Sequence, residues 1–297
     1  MPYPAPAPRF LWLEITGKCQ LDCSHCYAES GPSGTHGAMT TTDWLRVLDQ
    51  AAALGVEMVQ FIGGEPTLHP DLPRLVEHAL HHGLAVEVFT NLVHVTDQLW
   101  ELFARTGVSL ATSYYSDDPA QHASITGRPS HTRTKANIAE AVRRGIPLRA
   151  GVIDLGGGQR AEAAQAELAE LGVTEIGYDR LRQVGRGSRD RQASTDQLCG
   201  RCGDGVAAIS PDGAVWPCVF SRWLPAGSVL AAELAQILSA PEAERVRAEL
   251  RAEFATRVPS MPCVPNMCDP QCGPSCSPAC RPAGNCRPVG ACAPDYR

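Results

Sequence analysis

Between residues 10 and 180, short apolar runs alternate with stretches whose apolar positions recur every three to four residues. The runs at 10–16, 56–62, 84–90, 108–114, 147–154 and 173–178 have the length and flanking residues of buried strands. The periodic stretches at 41–54, 71–82, 96–106, 131–144 and 160–171 predict amphipathic helices. Gly55, Gly83, Gly107, Gly145 and Gly172 stand where each helix should end in a left-handed residue. Thr41, Thr42 or Asp43 is placed to cap the first helix and Thr96 the third. Strands and helices in strict alternation predict parallel βα units. Right-handed crossovers wind such units into a doubly wound sheet or an incomplete barrel. In either case the chemistry belongs at the C-terminal ends of the strands.

Beyond residue 180 the pattern changes. Arg180, Arg182, Arg186, Arg189 and Arg191 stud a glycine-containing connector, which reads as a solvated basic segment. Pro211-Asp212-Gly213 between two apolar runs predicts a hairpin turn, and 229–256 reads as helix. Residues 263–297 are rich in Pro, Gly and Cys and nearly devoid of aliphatic side chains, so order there requires covalent or metal cross-links.

Composition narrows the class. With 297 residues, 44% hydrophobic and 20% charged, the chain is an ordinary globular protein large enough to fold without staples. Its net charge of −6 carries no nucleic-acid footprint. The Pro-rich start, 1–9, reads as a flexible arm without the apolar core of a signal peptide, and no run approaches the ~18 apolar residues of a membrane span. The expectation is a cytoplasmic protein with neither nucleic-acid nor membrane partners.

Thirteen cysteines depart from that ordinariness. In a chain of this size without a secretory signal, clustered cysteines point to metal rather than disulfides. Cys19, Cys23 and Cys26 form C-x3-C-x2-C directly after the first strand. Three thiolates on one loop can hold three irons of a cubane cluster and leave the fourth iron for another ligand. The alternative is a zinc knuckle that borrows His25 or Asp22. Gly63, Gly64, Glu65 and Pro66 follow the second strand; the glycines would let a ligand approach the backbone, and Glu65 would face an ammonium. The Gly156–Gly158 run lacks phosphate-loop spacing and reads as a turn.

C-x3-C-x2-C followed by a Gly-Gly-Glu-Pro segment resembles the radical S-adenosylmethionine (SAM) superfamily over residues 10–180. The resemblance implies a partial (β/α)6 barrel in an α/β fold and a [4Fe–4S] cluster on Cys19, Cys23 and Cys26, with SAM on the open iron. It further implies reductive cleavage of SAM to a 5′-deoxyadenosyl radical that abstracts hydrogen from an unactivated C–H bond. By the same resemblance Tyr27 would lie beside the adenine, and Gly63 to Pro66 by the methionine amino group. Thr90, Asn91 and Ser113 would lie near the methionine and ribose, and Asp179, Arg180 and Arg182 are within reach of the SAM carboxylate or of substrate. A reductant such as flavodoxin or ferredoxin would supply the electron.

Residues 181–297 resemble the SPASM or twitch extensions of that superfamily, which hold auxiliary iron–sulfur clusters. Gly213 and Cys218 supply the G-x4-C signature, with Cys199 or Cys202 upstream. The spacing then departs from the SPASM pattern: Cys263 precedes Cys268, Cys272, Cys276 and Cys280 at x3 intervals, followed by Cys286 and Cys292 at x5. At least one auxiliary [4Fe–4S] cluster is expected among these ten.

SPASM-bearing relatives mostly act on ribosomal peptides, so cross-linking or epimerisation of a peptide is the leading expectation, any leader-binding domain being supplied by a separate protein. A small polar natural product, a sugar or aminoglycoside, is the alternative; its epimerisation would use a thiol such as Cys263 or Cys268 as hydrogen donor. A zinc-stabilised binding module is the non-enzymatic alternative.

Overall fold

The computed structural model describes residues 8–189 and 191–255. Six strands with intervening helices come first: β1 Phe10–Thr16, α1 Thr41–Ala53, β2 Met58–Gly63, α2 Leu72–His81, β3 Ala85–Phe89, α3 Asp97–Phe103 and β4 Val108–Tyr114. They continue through α4 Pro119–Thr126, α5 His131–Arg143, β5 Leu148–Asp154, α6 Ala161–Glu170 and β6 Glu175–Arg180. Then come β7 Val206–Ile209, β8 Ala214–Trp216, β9 Gly227–Ser228, α7 Leu234–Ser239 and α8 Pro241–Ala255.

The strands form one sheet in the order β6-β5-β4-β3-β2-β1-β7-β8-β9. The first six are parallel and lie side by side in chain order. A doubly wound sheet reverses its strand order at a switch point; this one does not, and of the two expected architectures it is the open, partial barrel. β7 adds a seventh parallel strand beside β1, and β8 and β9 follow as an antiparallel ribbon. The segment after residue 180 thus extends the barrel's own sheet.

One face of the sheet buries an aliphatic layer against the helices, with Leu11, Leu13, Val59, Phe61, Val86 and Val88 fully or almost fully enclosed. The other face carries Phe10, Trp12 and Ile62, which pack with Val206, Trp216, Phe220 and α8 residues Val246 and Leu250. Burial of β1 on both faces explains why it reads as a continuous apolar run.

Local signals acted as the physics requires, with three adjustments. Thr40, one residue before the expected caps, caps α1, and Asp43 closes a capping box with it. Thr96 caps α3 as expected. Gly55, Gly83, Gly145 and Gly172 follow their C-caps at positive φ. Gly107, also at positive φ, instead turns the chain into β4 three residues past the Ala104 C-cap. The helix expected over 229–256 is interrupted: α7 begins only at Leu234, and Ala240 is extended before α8 begins at Pro241. Among the described residues no helix is long and apolar enough to cross a membrane.

Candidate active site

Every strand of the six-stranded parallel barrel contributes to one cavity at its C-terminal end. The cavity is lined by the loop after β1 (Cys19, Cys23, Cys26, Tyr27), by Gly63 and Gly64 after β2, and by Phe89 and Asn91 at the end of β3. Ser113 and Tyr115 from β4, Ile153 from β5, and Arg180 and Arg182 after β6 complete the ring, with Phe220 from the extension.

The cysteine loop is held from three directions. Its entry is fixed by Gly17 N–H donating to Thr35 O (2.8 Å) and Cys19 N–H to Gly31 O (3.0 Å). The C-terminal turn of α4 accepts from the loop: Asp22 N–H to Thr126 O (3.0 Å) and Ser24 N–H to Ile125 O (3.1 Å). Gly127 beside it must be glycine, because a Cβ there would stand 2.5 Å from Asp22 O, at φ 71°. From the third side Arg186 donates to Cys23 O (2.8 Å) and Ser30 O (2.7 Å) and stands 3.4 Å from Asp22. Arg186 is therefore a clamp on the loop and not the solvated connector residue the sequence suggests.

The glycines after β2 have a second reason beside the approach of a ligand. A Cβ on Gly63 would lie 2.4 Å from Thr16 O, and one on Gly64 would lie 2.2 Å from Lys18 O. Glycine is required because the backbone entering the cysteine loop passes against them. Gly64 N–H donates to Thr16 O (2.6 Å) and Glu65 N–H to Lys18 O (2.8 Å), stitching the two loops together.

Glu65, Pro66 and Thr90 do not line the cavity. The Glu65 carboxylate is fully buried and accepts from Thr90 Oγ1 (2.6 Å), Thr67 Oγ1 (2.8 Å), Thr67 N–H (3.1 Å) and Asn91 N–H (2.8 Å). Burial raises its pKa, and those bonds oppose the rise. Glu65 is thus a bracket between β2 and β3 and does not offer its charge to a ligand, and Pro66 starts the turn that seats it. What the bracket places is Asn91, which reaches the cysteine loop: its amide and that of Gln20 exchange hydrogen bonds (3.1 and 3.2 Å), and its Nδ2 points at Cys19 Sγ (3.7 Å).

Tyr27 lines the cavity with its ring edge-on to Phe220, centroids 5.2 Å apart, and the Arg222 guanidinium 5.6 Å from the ring. Asp179 and Arg182 are both buried and pair with each other (3.0 Å), and Arg182 also donates to Gln197 O (2.8 Å). They brace the connector. Sequence reading also passed over a chain of rings on the cavity wall: His25 Nε2 bonds the Tyr115 hydroxyl (3.1 Å), and Tyr115 packs on His122 (5.5 Å). Burial first, with Arg186 at His25 and His131 at His122, lowers both histidines to about 4, so the wall is uncharged at neutral pH.

A second cysteine group lies behind the wall. Cys202 and Cys218 are buried with sulfurs 3.0 Å apart, and Cys199 also bonds Cys202. Both upstream candidates therefore converge with Cys218. Glu14 of β1, fully buried, accepts from Arg222 (2.6 and 2.7 Å), which stacks 4.6 Å from the Trp216 ring, so this group is locked to the barrel through an ion pair. Cys263, Cys268, Cys272, Cys276, Cys280, Cys286 and Cys292 lie outside the described residues.

The donor chemistry suits an iron–sulfur cluster. Burial, with the Glu65 charge next, pushes the Cys19 thiol up to about 12, and burial followed by the charges of Cys26 and Cys19 raises Cys23. Thiolates that oppose one another in a low-dielectric wall call for several compensating positive charges, which a cluster of irons supplies. Of the zinc-knuckle donors, Asp22 pairs with Arg186 and His25 Nε2 bonds Tyr115, while His25 Nδ1 has no hydrogen-bond partner. Among the described residues, the trio whose donor atoms all lie within 4.8 Å of one another is Asp49, His78 and His82, not these thiols.

Comparison with known proteins agrees. A family model described as the Radical SAM superfamily matches residues 13–169, and one for SPASM, an iron-sulfur cluster-binding domain, matches 199–273. A PqqA peptide cyclase of Streptomyces rochei is 34% identical over 190 residues, which cover 63% of this chain and 52% of that protein. A PqqA peptide cyclase of Xanthomonas campestris pv. campestris (strain B100) is 33% identical over 199 residues, covering 65% of this chain and 53% of that protein. The chain thus spans about half the length of these curated relatives. Among solved structures, Streptococcus suis SuiB bound to precursor peptide SuiA shares the fold at a TM-score of 0.68 and 13% identity, over 97% of this chain and 76% of that one.

Proposed function

Because the chain belongs to the radical SAM superfamily, with SAM, a [4Fe–4S] cluster and an auxiliary iron–sulfur cluster as its cofactors, we propose that it is a peptide maturase that cross-links residues of a ribosomal peptide. The observation that carries this reading is the convergence of the cysteine loop, Gly63, Gly64, Asn91 and Ser113 on one cavity, with Cys199, Cys202 and Cys218 gathered behind its wall. The naming of the relatives as peptide cyclases supports the substrate class and the bond-forming outcome. No observation favours a sugar or aminoglycoside.

In this reading residues 10–180 are the catalytic barrel and 181–297 the auxiliary extension. Cys19, Cys23 and Cys26 hold the core cluster. The backbone of Gly63 and Gly64, with Asn91 and Ser113, holds SAM, and Tyr27 and Phe220 close the wall beside it. When bound, SAM on the reduced cluster supplies hydrogen abstraction from an unactivated C–H bond. The protein's part is to keep that chemistry dry and aimed. The His25, Tyr115 and His122 rings wall the cavity, and the Glu65 bracket fixes Asn91 against the cysteine loop. Cys199, Cys202 and Cys218 would contribute ligands to an auxiliary cluster, which when bound would supply an acceptor for the electron a cross-link releases. A flavodoxin or ferredoxin would be the reductant.

The test offers reduced, cluster-loaded protein a peptide fraction and a small-solute fraction of host extract in D2O. Cross-linking predicts 5′-deoxyadenosine formed with the peptide fraction and a peptide product that has lost two hydrogens. Deuterium uptake at carbon without hydrogen loss would mean epimerisation, and stimulation by small solutes alone would overturn the peptide reading.

A further inference from the structure

On the outer wall of the barrel, away from the cavity, α1 and α2 run side by side. At their N-terminal ends they are tied by Thr41 Oγ1 donating to Asp71 (2.6 Å). At the other end Asp49 of α1 faces two histidines of α2. His78 and His82 are four residues apart, so both project from one helix face. Their Nε2 atoms stand 2.6 and 3.2 Å from the same oxygen, Asp49 Oδ1, and their rings are 4.6 Å apart. All the donor atoms lie within 4.8 Å of one another. The side chains are 52% (Asp49), 27% (His78) and 34% (His82) exposed, so an ion can reach them from solvent.

We propose that Asp49, His78 and His82 form a divalent-metal site, of the borderline-soft class represented by Zn2+, that clamps α1 to α2. Two imidazoles and a carboxylate are the donor set that such ions favour, and metal–donor bonds of about 2.0–2.2 Å bridge atoms already spaced as these are. Each ring binds through Nε2 with its remaining proton on Nδ1, and any second proton a ring carries leaves to solvent as the metal binds. The fourth position is open to water. The clamp joins the helices that follow the cysteine loop and the Gly63–Gly64 loop, the two segments stitched together at the cavity, so it stiffens that wall from outside.

Tail thiols would also take up zinc, so the test must read these rings individually. Cluster-loaded full-length protein is treated with diethyl pyrocarbonate with and without Zn2+, and ring acylation is read by peptide mass spectrometry. Zinc should protect His78 and His82 while exposed His94 reacts unchanged. Asp49→Ala, an exposed substitution, should raise the zinc concentration for half-protection at least about tenfold. Equal acylation of His78 and His82 with and without zinc, or protection unaltered in Asp49→Ala, would overturn the site.

Discussion

A single buried carboxylate organises the rim of the cavity. Glu65 takes four hydrogen bonds from Thr67, Thr90 and Asn91, and through Asn91 it sets the approach to Cys19. Replacing it with glutamine keeps the shape but turns one acceptor into a donor. The threonine hydroxyls can rotate to accept, whereas the Asn91 N–H cannot. The variant Glu65→Gln should therefore lose about 1–3 kcal/mol in denaturant unfolding. SAM cleavage should fall about tenfold as Asn91 shifts. Stability and cleavage both unchanged would show that the bracket is not needed. That Glu65 matters was legible in the sequence, from its place after the second strand. Its partners were not, because they come from β3 and a neighbouring turn, and no local spacing encodes a contact between Glu65 and Asn91. The same is true of Arg186, whose role depends on a loop 163 residues away.

At the level of elements, the apolar runs and terminal glycines disclosed the parallel strands and their helices because most of these strands are largely buried, the half-buried β6 being the exception. β1 and β4 have the expected bounds. α4 was passed over because its polar sequence has almost no apolar face, although its punctuation was present. Asp118 caps it, Pro119 opens it and Gly127 ends it in a left-handed turn. It earns its place by holding Asp22 and Ser24 of the cysteine loop. The contact between the β1 and β2 loops makes a sharper claim. Gly64→Ala would drive a Cβ into Lys18 O and displace the cysteine loop, so iron bound at the core cluster should fall well below one cluster per chain. Gly55→Ala meets no atom within 4 Å. It costs only the left-handed strain of about 1–2 kcal/mol and should keep its iron. Iron analysis of the two variants checks this, and equal loading would contradict the stitched-loop account.

Over the whole molecule, barrel and extension form one sheet fastened by a buried charge pair. The extension's cysteines were legible from their spacing. Its union with β1 was not, because pairing of β7 with β1 spans nearly two hundred residues and no pattern in either strand names the other. Glu14 inside an apolar strand was the one hint, since a buried carboxylate needs a partner, and Arg222 is that partner. Arg222→Met leaves the Glu14 carboxyl enclosed without its partner, where burial favours its taking up a proton, and should cost about 2–3 kcal/mol, less than for a fully sealed pair because Arg222 keeps contact with water. Glu14→Gln combined with Arg222→Met should recover part of that loss; a double variant as unstable as the sum of the two single ones would argue against coupling. The central claim, that the loop after β1 holds the cluster at which SAM is cleaved, has a direct measurement: 5′-deoxyadenosine release by reduced, cluster-loaded protein and by Cys23→Ala. The account expects release by the native chain and a loss of about a hundredfold or more in the variant, which should keep the brown colour of its auxiliary cluster. Equal release by both, or none from native protein that holds its clusters, would contradict it.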